Sequence, residues 1–436
     1  MKQVFIQTFG CQMNERDSEG VKGMLLERGY GLTDELNDAS VILLNTCSVR
    51  QHAEDRVLGR SGMLSEIKAA RPETVIGLLG CMAQEHGAKF FRRIPSLDLV
   101  CGPGNLDEIP DILERLFHKR DKITAINRIN DLKYTMDGVE YRGHSSTAMV
   151  NIMSGCDHKC TYCIVPMTRG IERSRPSADI VREIKTLVDR GYKDFLLLGQ
   201  NVNCYGKKLD ENVDFTDLLE KIQNEAQPHR IRFTTSHPKD ASDKLFRAMR
   251  DLPSVCEHLH LPVQSGSSRI LKRMKREHTR EWYLERIASY KAHVPGGSLT
   301  TDIITGFCGE TDEDFEATRS LMSEAEFDAA FIFKYSMRPG TPAARLVDDV
   351  PEKVKHERHQ ELLALQKSLT FARNSAWLGK IVEVLVEEDD LDSQKSFGRT
   401  REFKRIVMNS ESALAGRVVP VRVRGVVNET LLGELL

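Results

Sequence analysis

Cys156, Cys160 and Cys163 lie within eight residues, in the run Gly155-Cys156-Asp157-His158-Lys159-Cys160-Thr161-Tyr162-Cys163. Thiolates are soft ligands, and a C-x3-C-x2-C array can cap three irons of a [4Fe-4S] cube while the fourth iron stays open to a chelating ligand. The other reading is a structural zinc site with His158 as fourth ligand. Zinc ligands usually come as two separated pairs, which this run is not.

Cys11, Cys47 and Cys81 are distant in sequence, yet each comes just after a strand candidate: 3–8, 39–46 and 74–80. In a parallel sheet such positions share one edge, so three thiolates can converge on a second cluster. Buried structural cysteines are the alternative, since free Cys is among the most buried residue types. Cys101 follows a fourth run, 97–100, in similar register and is left outside the set.

Positioning these groups requires a large folded chain. At 436 residues the sequence suggests about three domains. Hydrophobic residues at 40% and charged residues at 29% exclude disordered and fibrous classes. No apolar run is long enough for a membrane span, and the N-terminus reaches Cys11 without a secretory segment, so a cytoplasmic protein with no membrane partner is expected. There, ten cysteines read as metal-binding or catalytic rather than disulfide-bonded.

Residues 1–120 read as a small doubly wound α/β domain with a parallel sheet, its helices expected at 15–28, 51–70 and 106–117. A charged, aperiodic stretch, 121–143, reads as a linker. Residues 144–373 show six strand-like runs, each followed by a helix-like stretch such as 269–292, which predicts a partial (β/α)6 barrel with its chemistry at the strand ends. Residues 374–436 are β-branched and punctuated by glycines, as in a small antiparallel β-barrel.

The cysteine array with Tyr162 as its aromatic resembles the signature of the radical S-adenosylmethionine (SAM) superfamily. The resemblance implies that Cys156, Cys160 and Cys163 hold a [4Fe-4S] cluster whose open iron chelates SAM, and that an electron from it yields a 5′-deoxyadenosyl radical. Superfamily-like segments at later strand ends imply SAM contacts from Tyr162, Gly199, Gln200, Ser236, Gln264, Gly306, Glu310 and Tyr335. The flanks Thr8-Phe9-Gly10-Cys11-Gln12-Met13-Asn14 and Asn45-Thr46-Cys47-Ser48-Val49-Arg50 resemble the methylthiotransferase family across nearly the whole chain. That family implies a second [4Fe-4S] cluster on Cys11, Cys47 and Cys81, and a C-terminal TRAM domain. Gln12-Met13-Asn14 resembles the members that methylthiolate C2 of N6-isopentenyladenosine next to the tRNA anticodon. Members acting on a ribosomal-protein aspartate or on threonylcarbamoyl adenosine typically carry Pro-Lys-Asn or Lys-Val-Asn there. Cys308 stands where the family usually has proline.

Lys+Arg 62 against Asp+Glu 64 excludes a nucleic-acid binder acting through bulk charge. A local patch remains: Lys395, Phe397, Arg399, Arg401, Lys404 and Arg405 interleave cations with aromatics, as RNA-binding β-barrels do. The acidic run 387–390 is expected elsewhere on the surface. A second basic patch is expected at Lys272, Arg273, Lys275, Arg276 and Arg280. The implied partners are a tRNA anticodon stem-loop carrying isopentenyladenosine and a low-potential electron donor. The rival of another class is a non-catalytic, zinc-stabilised RNA-binding module.

Overall fold

The structure, a computed structural model, describes residues 1–48, 51–126 and 146–436. It has two compact units: the described residues of Met1–Gly143 with Met153–Asp157 and Cys163–Arg173, and those of His144–Ile152 with His158–Tyr162 and Ser174–Leu436.

In the first unit, β1 (Gln3–Phe9), β2 (Gly31–Leu32), β3 (Val41–Thr46), β4 (Val75–Gly80), β5 (Leu99–Cys101) and β6 (Ile123–Ala125) form one parallel sheet in the order β2-β1-β3-β4-β5-β6. Strands β3 and β4 are buried along their whole length, because apolar layers cover both faces. One layer holds Val57, Leu64 and Phe90 and the other Val21, Leu25 and Ile112. The chain reverses direction across the sheet between β1 and β3. In doubly wound sheets that switch point, at the strands' C-terminal ends, is where ligands bind.

Strand β6 lies in the stretch expected as a linker; at three residues it is too short to show periodicity. The remainder of that stretch, 127–143, lies outside the described residues. The helix expected over 51–70 is two, Gln51–Leu58 and Ser61–Ala70.

Two-residue strands β8 (Met153–Ser154) and β9 (Arg173–Ser174) flank the cysteine array in sequence. The second unit holds β7 (Thr147–Asn151), β10 (Asp194–Leu198), β11 (Arg230–Phe233), β12 (His258–His260), β13 (Ser298–Thr305) and β14 (Ala329–Lys334). They form two parallel three-stranded sheets, β7-β10-β11 and β12-β13-β14, joined by a lone parallel bridge between Ile231 and Val255. This is the expected six-stranded α/β arrangement. Several helices start on a side-chain cap: Ser242, Ser267, Thr279 and Thr311 each accept the N–H three residues on. The helix expected over 269–292 is broken into Ser268–Arg273 and Arg280–His293, with Lys275 and Glu277 at φ +54° and +57° between them.

The C-terminal segment is a closed barrel in the order β15 (Ile381–Asp390), β16 (Lys395–Thr400), β17 (Arg405–Asn409), β19 (Thr430–Leu435), β18 (Val418–Val427). All its pairs are antiparallel except β17 with β19, a departure from the wholly antiparallel barrel expected. Among the described residues no helix is long and apolar enough to cross a membrane.

Candidate active site

The first cysteine set is positioned by strand register. Phe9 pairs with Thr46 and Thr46 with Gly80, so Cys11, Cys47 and Cys81 leave the sheet along one edge. Gly80 has φ +91°, and a Cβ there would meet Asn45 Oδ1 at 2.3 Å; only glycine makes this turn into the helix Cys81–His86. Side-chain amides fix the edge: Asn14 Nδ2 donates to Asn45 Oδ1 (3.0 Å), and Asn45 Nδ2 donates to the Asn14 carbonyl (2.8 Å). The Cys11 thiol donates to Asn14 Oδ1 at 3.3 Å.

The electrostatics favour a thiolate at Cys11. A hydrogen bond from Cys47, followed by burial that opposes it and the Arg169 charge that adds to it, leaves the Cys11 thiol at about 5. Burial pushes the Cys81 thiol up, against the pull of the same Arg169. Arg169 is itself buried, its guanidinium 2.6 Å from Asp17. Cys101 does not join the set. Its thiol donates to the carbonyls of Gly102 and Asn105, and it packs in the apolar layer opposite the one that holds Cys47.

Backbone bonds anchor the cysteine array, each within its own unit. Gly155 (φ +78°) presses against the Ile171 carbonyl, which a Cβ would meet at 2.0 Å, and the Cys156 N–H donates to the Gly170 carbonyl. Further along, Thr161 N–H donates to the Met274 carbonyl, and Arg276 donates to Cys160 Sγ at 3.5 Å. The last turn of helix Ser268–Arg273 ends in a Schellman motif: Arg276 N–H reaches the Leu271 carbonyl and Lys275 N–H the Lys272 carbonyl. Lys275 therefore takes the left-handed position usually given to glycine, and Arg276 is aimed inward instead of joining a surface patch. Arg280 likewise turns to the Ala317 carbonyl and Glu324.

The residues named as SAM contacts fall at strand ends. Gly199 and Gln200 follow β10, and the buried Ser236 donates to Asn203 Oδ1 at 3.2 Å. Gln264 is buried at φ +75°, bonded through its backbone to Asp302 and Ile304. Gly306, at φ +71°, leaves no room for a Cβ beside Lys355. Tyr162 and Tyr335 pack in one cluster with Phe307 and Cys308. Glu310 differs: its carboxylate accepts the Gly306 N–H (2.9 Å) and pairs with buried Arg358 (2.8 Å), so it holds the turn.

Sequence reasoning missed a polar cluster in the second unit. His158 Nε2 is 3.0 Å from Asp240 Oδ2 and its ring stacks on His237 at 4.0 Å. Among the described residues, the ligand atoms of His158, Cys204 and Asp240 form the one group within 4.8 Å of one another that fits a single ion. The place of a cation is taken. Asn201 Nδ2 lies 2.8 Å from Asp240, 2.9 Å from Cys204 and 3.1 Å from His158, and Lys207 Nζ is 2.8 Å from Asp240. The His237 N–H, donating to Asn201 Oδ1, fixes which end of the amide faces inward. Burial opposes the Asp240 charge, but bonds from His158, Lys207 and Asn201 hold its carboxyl far below the ordinary range. Burial, then the Asp240 charge, pushes the Cys204 thiol up to about 12. With His158 engaged in this way, a zinc site on the cysteine array lacks the fourth ligand proposed for it. The signal in the sequence was the placement of His158 inside the array and of Asp240 just after the strand-end segment Thr234–His237.

The basic segment of the C-terminal barrel divides. Lys395 and Arg405 are exposed, and Arg405 lies over the Phe397 ring at 5.8 Å. Arg399, Arg401 and Lys404 are instead tied to carboxylates. Lys404 is buried against Asp328 and Asn374, Arg401 forks onto Glu257, and Arg399 bonds Glu387. Lys404 thus has no phosphate to offer itself to; it fastens the barrel to the strand end before β14. The acidic run is not elsewhere: Glu388, Asp389 and Asp390 pair directly with Phe397, Ser396 and Lys395 on β16.

Comparison with known proteins follows the same division. Residues 3–102 match the model described as Uncharacterized protein family UPF0004, residues 150–322 the Radical SAM superfamily and residues 377–436 the TRAM domain. Among solved structures, the radical S-adenosylmethionine methyltransferase TsrM from Kitasatospora setae superposes with a TM-score of 0.59 over 79% of this chain and 77% of that one, at 12% identity, a likeness of fold alone. The tRNA-2-methylthio-N(6)-dimethylallyladenosine synthase of Thermoanaerobacter sp. (strain X514) is 46% identical over 99% of this chain and 92% of its own length. That of Clostridium perfringens (strain SM101 / Type A) is 43% identical over 100% and 98%. Both cysteine sets, the six-stranded unit and the terminal barrel lie within those spans, and the chain belongs to this family of radical SAM tRNA methylthiotransferases.

Proposed function

We propose that this enzyme replaces the C2 hydrogen of N6-isopentenyladenosine, next to the tRNA anticodon, with a methylthio group, using SAM both as methyl donor and as radical source. The observation that carries the reading is the shared register of Phe9, Thr46 and Gly80, which gives a chain with one cysteine array a second, independent set of three thiols.

Cys156, Cys160 and Cys163 would hold the SAM-binding [4Fe-4S] cluster and Cys11, Cys47 and Cys81 an auxiliary one; when bound, they supply the electron that opens SAM and the place where sulfur is carried. The donor chemistry fits: Cys11 is drawn toward the thiolate, and Cys160 already accepts a hydrogen bond from Arg276. Arg169 supplies the positive charge beside the auxiliary thiols, and Asp17 keeps that charge in place. Tyr162, Gly199, Gln200, Ser236, Gln264, Gly306 and Tyr335 line the ends where SAM is held, with Glu310 fixing the turn around Gly306. Lys395, Phe397 and Arg405 face the RNA, while Arg401 and Lys404 keep the barrel seated and Arg399 braces β16 against β15 through Glu387. A low-potential electron donor completes the reaction, in the cytoplasm.

The test is anaerobic incubation of purified protein with SAM, reductant and an isopentenylated anticodon stem-loop, followed by nucleoside mass spectrometry. A methylthio group on the isopentenylated adenosine supports the reading. Modification of a ribosomal protein instead, or stoichiometric zinc in a colourless protein, overturns it.

A further inference from the structure

Strand β14 leaves two aromatic rings open. Phe331 is 53% exposed and Phe333 36%, two residues apart and so on one face of the sheet. Their register partners on β13 are Asp302 and Ile304, which share that face, whereas Ile303 and Ile332 on the other face are buried. A single exposed apolar residue needs no explanation, but two adjacent rings on an open sheet face do.

The face is continuous with the proposed site. Ile304, opposite Phe333, packs against the cluster that contains Tyr335 and Tyr162, and Tyr162 belongs to the cysteine array itself. At its other end stands a polar pair: His260 lies 6.1 Å from the Phe331 ring, with Nδ1 2.9 Å from Thr300 Oγ1 and Nε2 3.6 Å from Asp302 Oδ2. An apolar track with one half-exposed carboxylate therefore leads along β13 and β14 toward Tyr162.

We propose that Phe331 and Phe333 seat the isopentenylated adenine of the substrate, the five-carbon chain lying on the two rings and Asp302 accepting the one N–H that remains on N6. This rests on the function proposed above and adds to it what would tell an isopentenylated base from a plain one. The chemistry matches in kind: unstacked bases are read by aromatic faces and by hydrogen bonds to their edges, and a branched alkyl chain needs apolar surface that water would otherwise cover.

The test uses full-length, anaerobically reconstituted protein and two anticodon stem-loops that differ only in the N6-isopentenyl group, with binding followed by fluorescence anisotropy. The unaltered protein is expected to prefer the isopentenylated RNA by roughly tenfold or more, the scale of discrimination by an apolar pocket. Phe331→Ser and Phe333→Ser should each erode that ratio, and the double variant should bring it close to one, while Phe331→Leu, which keeps apolar surface, retains most of it. Asp302→Ala should weaken both RNAs alike, because both carry an N6 hydrogen. An undiminished ratio in the double serine variant overturns the proposal. So does a loss of self-association in that variant with the ratio intact, which would make the face a contact between copies. If the unaltered protein leaves isopentenylated RNA unmodified in the mass-spectrometric assay, it is the functional reading that fails.

Discussion

Arg169 and Asp17, 152 residues apart, form a buried ion pair at 2.6 Å beside Cys11 and Cys81, with side chains 6% and 5% exposed. Removing one partner of such a pair leaves a desolvated charge, at a cost of about 3–5 kcal/mol, whereas removing both can be nearly neutral. Asp17→Asn should destabilise the first unit by that order, and Asp17→Asn with Arg169→Gln should recover much of it. Trp282 and Trp377 both lie in the second unit, so the readout must be hydrogen exchange at β1 and β3 rather than fluorescence. Equal protection in all three proteins would show that the pair contributes nothing.

The two cysteine sets should separate in metal content. Anaerobic protein is expected to be brown with about eight irons, from two cubanes. Replacing Cys156, Cys160 and Cys163 with alanine should leave about half the iron and abolish SAM cleavage. Replacing Cys11, Cys47 and Cys81 should also leave about half, but with cleavage to 5′-deoxyadenosine retained and methylthio transfer lost. Normal product from the second variant would sink the two-cluster mechanism.

Glycines give a subtler version of the same separation. A Cβ at Gly80 or Gly155 meets fixed neighbours at 2.3 and 2.0 Å, at φ +91° and +78°. Gly80→Ala should cost about 1–3 kcal/mol and lower auxiliary iron, while Gly155→Ala should lower iron at the SAM-binding set. The check is electron paramagnetic resonance of each reduced variant. Two unchanged cluster signals would show that the turns do not position the thiols.

The shared edge of Cys11, Cys47 and Cys81 was readable from the strand-like runs that precede them, plainest in the unbroken apolar stretches of β3 and β4, and the C-x3-C-x2-C array from its spacing. Strand β6 was not, since Ile123–Ala125 is too short to carry a pattern. The break between helices Ser268–Arg273 and Arg280–His293 was hidden because Lys275 and Glu277 adopt positive φ without being glycine. Nor does a sequence distinguish a free cation from a paired one. Arg401 and Lys404 find Glu257 and Asp328 at separations of 144 and 76 residues, and only the fold brings those carboxylates near.

That division of the basic segment is testable through salt. Each lysine or arginine that neutralises an RNA phosphate contributes about 0.7–0.9 to the slope of log affinity against log salt. Lys395→Ala and Arg405→Ala should each lower the slope for tRNA binding by that amount. Lys404→Met should leave the slope alone and instead cost about 3 kcal/mol in the second unit, because Asp328 loses a buried partner. A reduced slope for the Lys404 variant, with stability intact, would return Lys404 to the RNA face.

The same junction predicts a pH dependence. His258 is buried, its Nε2 2.9 Å from Thr300 Oγ1 and its ring stacked at 4.8 Å on Phe403, which reaches in from the C-terminal barrel. Burial first, then the charges of Arg232, Arg399 and Lys404 and the neighbouring His260, push its imidazole well below the ordinary value. The sign follows. Below about pH 6.5 the unfolded chain takes up a proton that the folded protein refuses, so stability falls as pH falls, by about 1.4 kcal/mol per unit until the folded group also titrates. Above about pH 7.5 both states are neutral and the contribution is flat. Denaturation followed by the fluorescence of Trp282 and Trp377 between pH 7.5 and 5.5 should show the slope, and His258→Gln should remove that share of it whatever constant offset it adds. Parallel stability curves for the two proteins across this range would mean that His258 takes up its proton as readily in the fold as in the unfolded chain and that the junction beneath β12 is wetter than its packing implies.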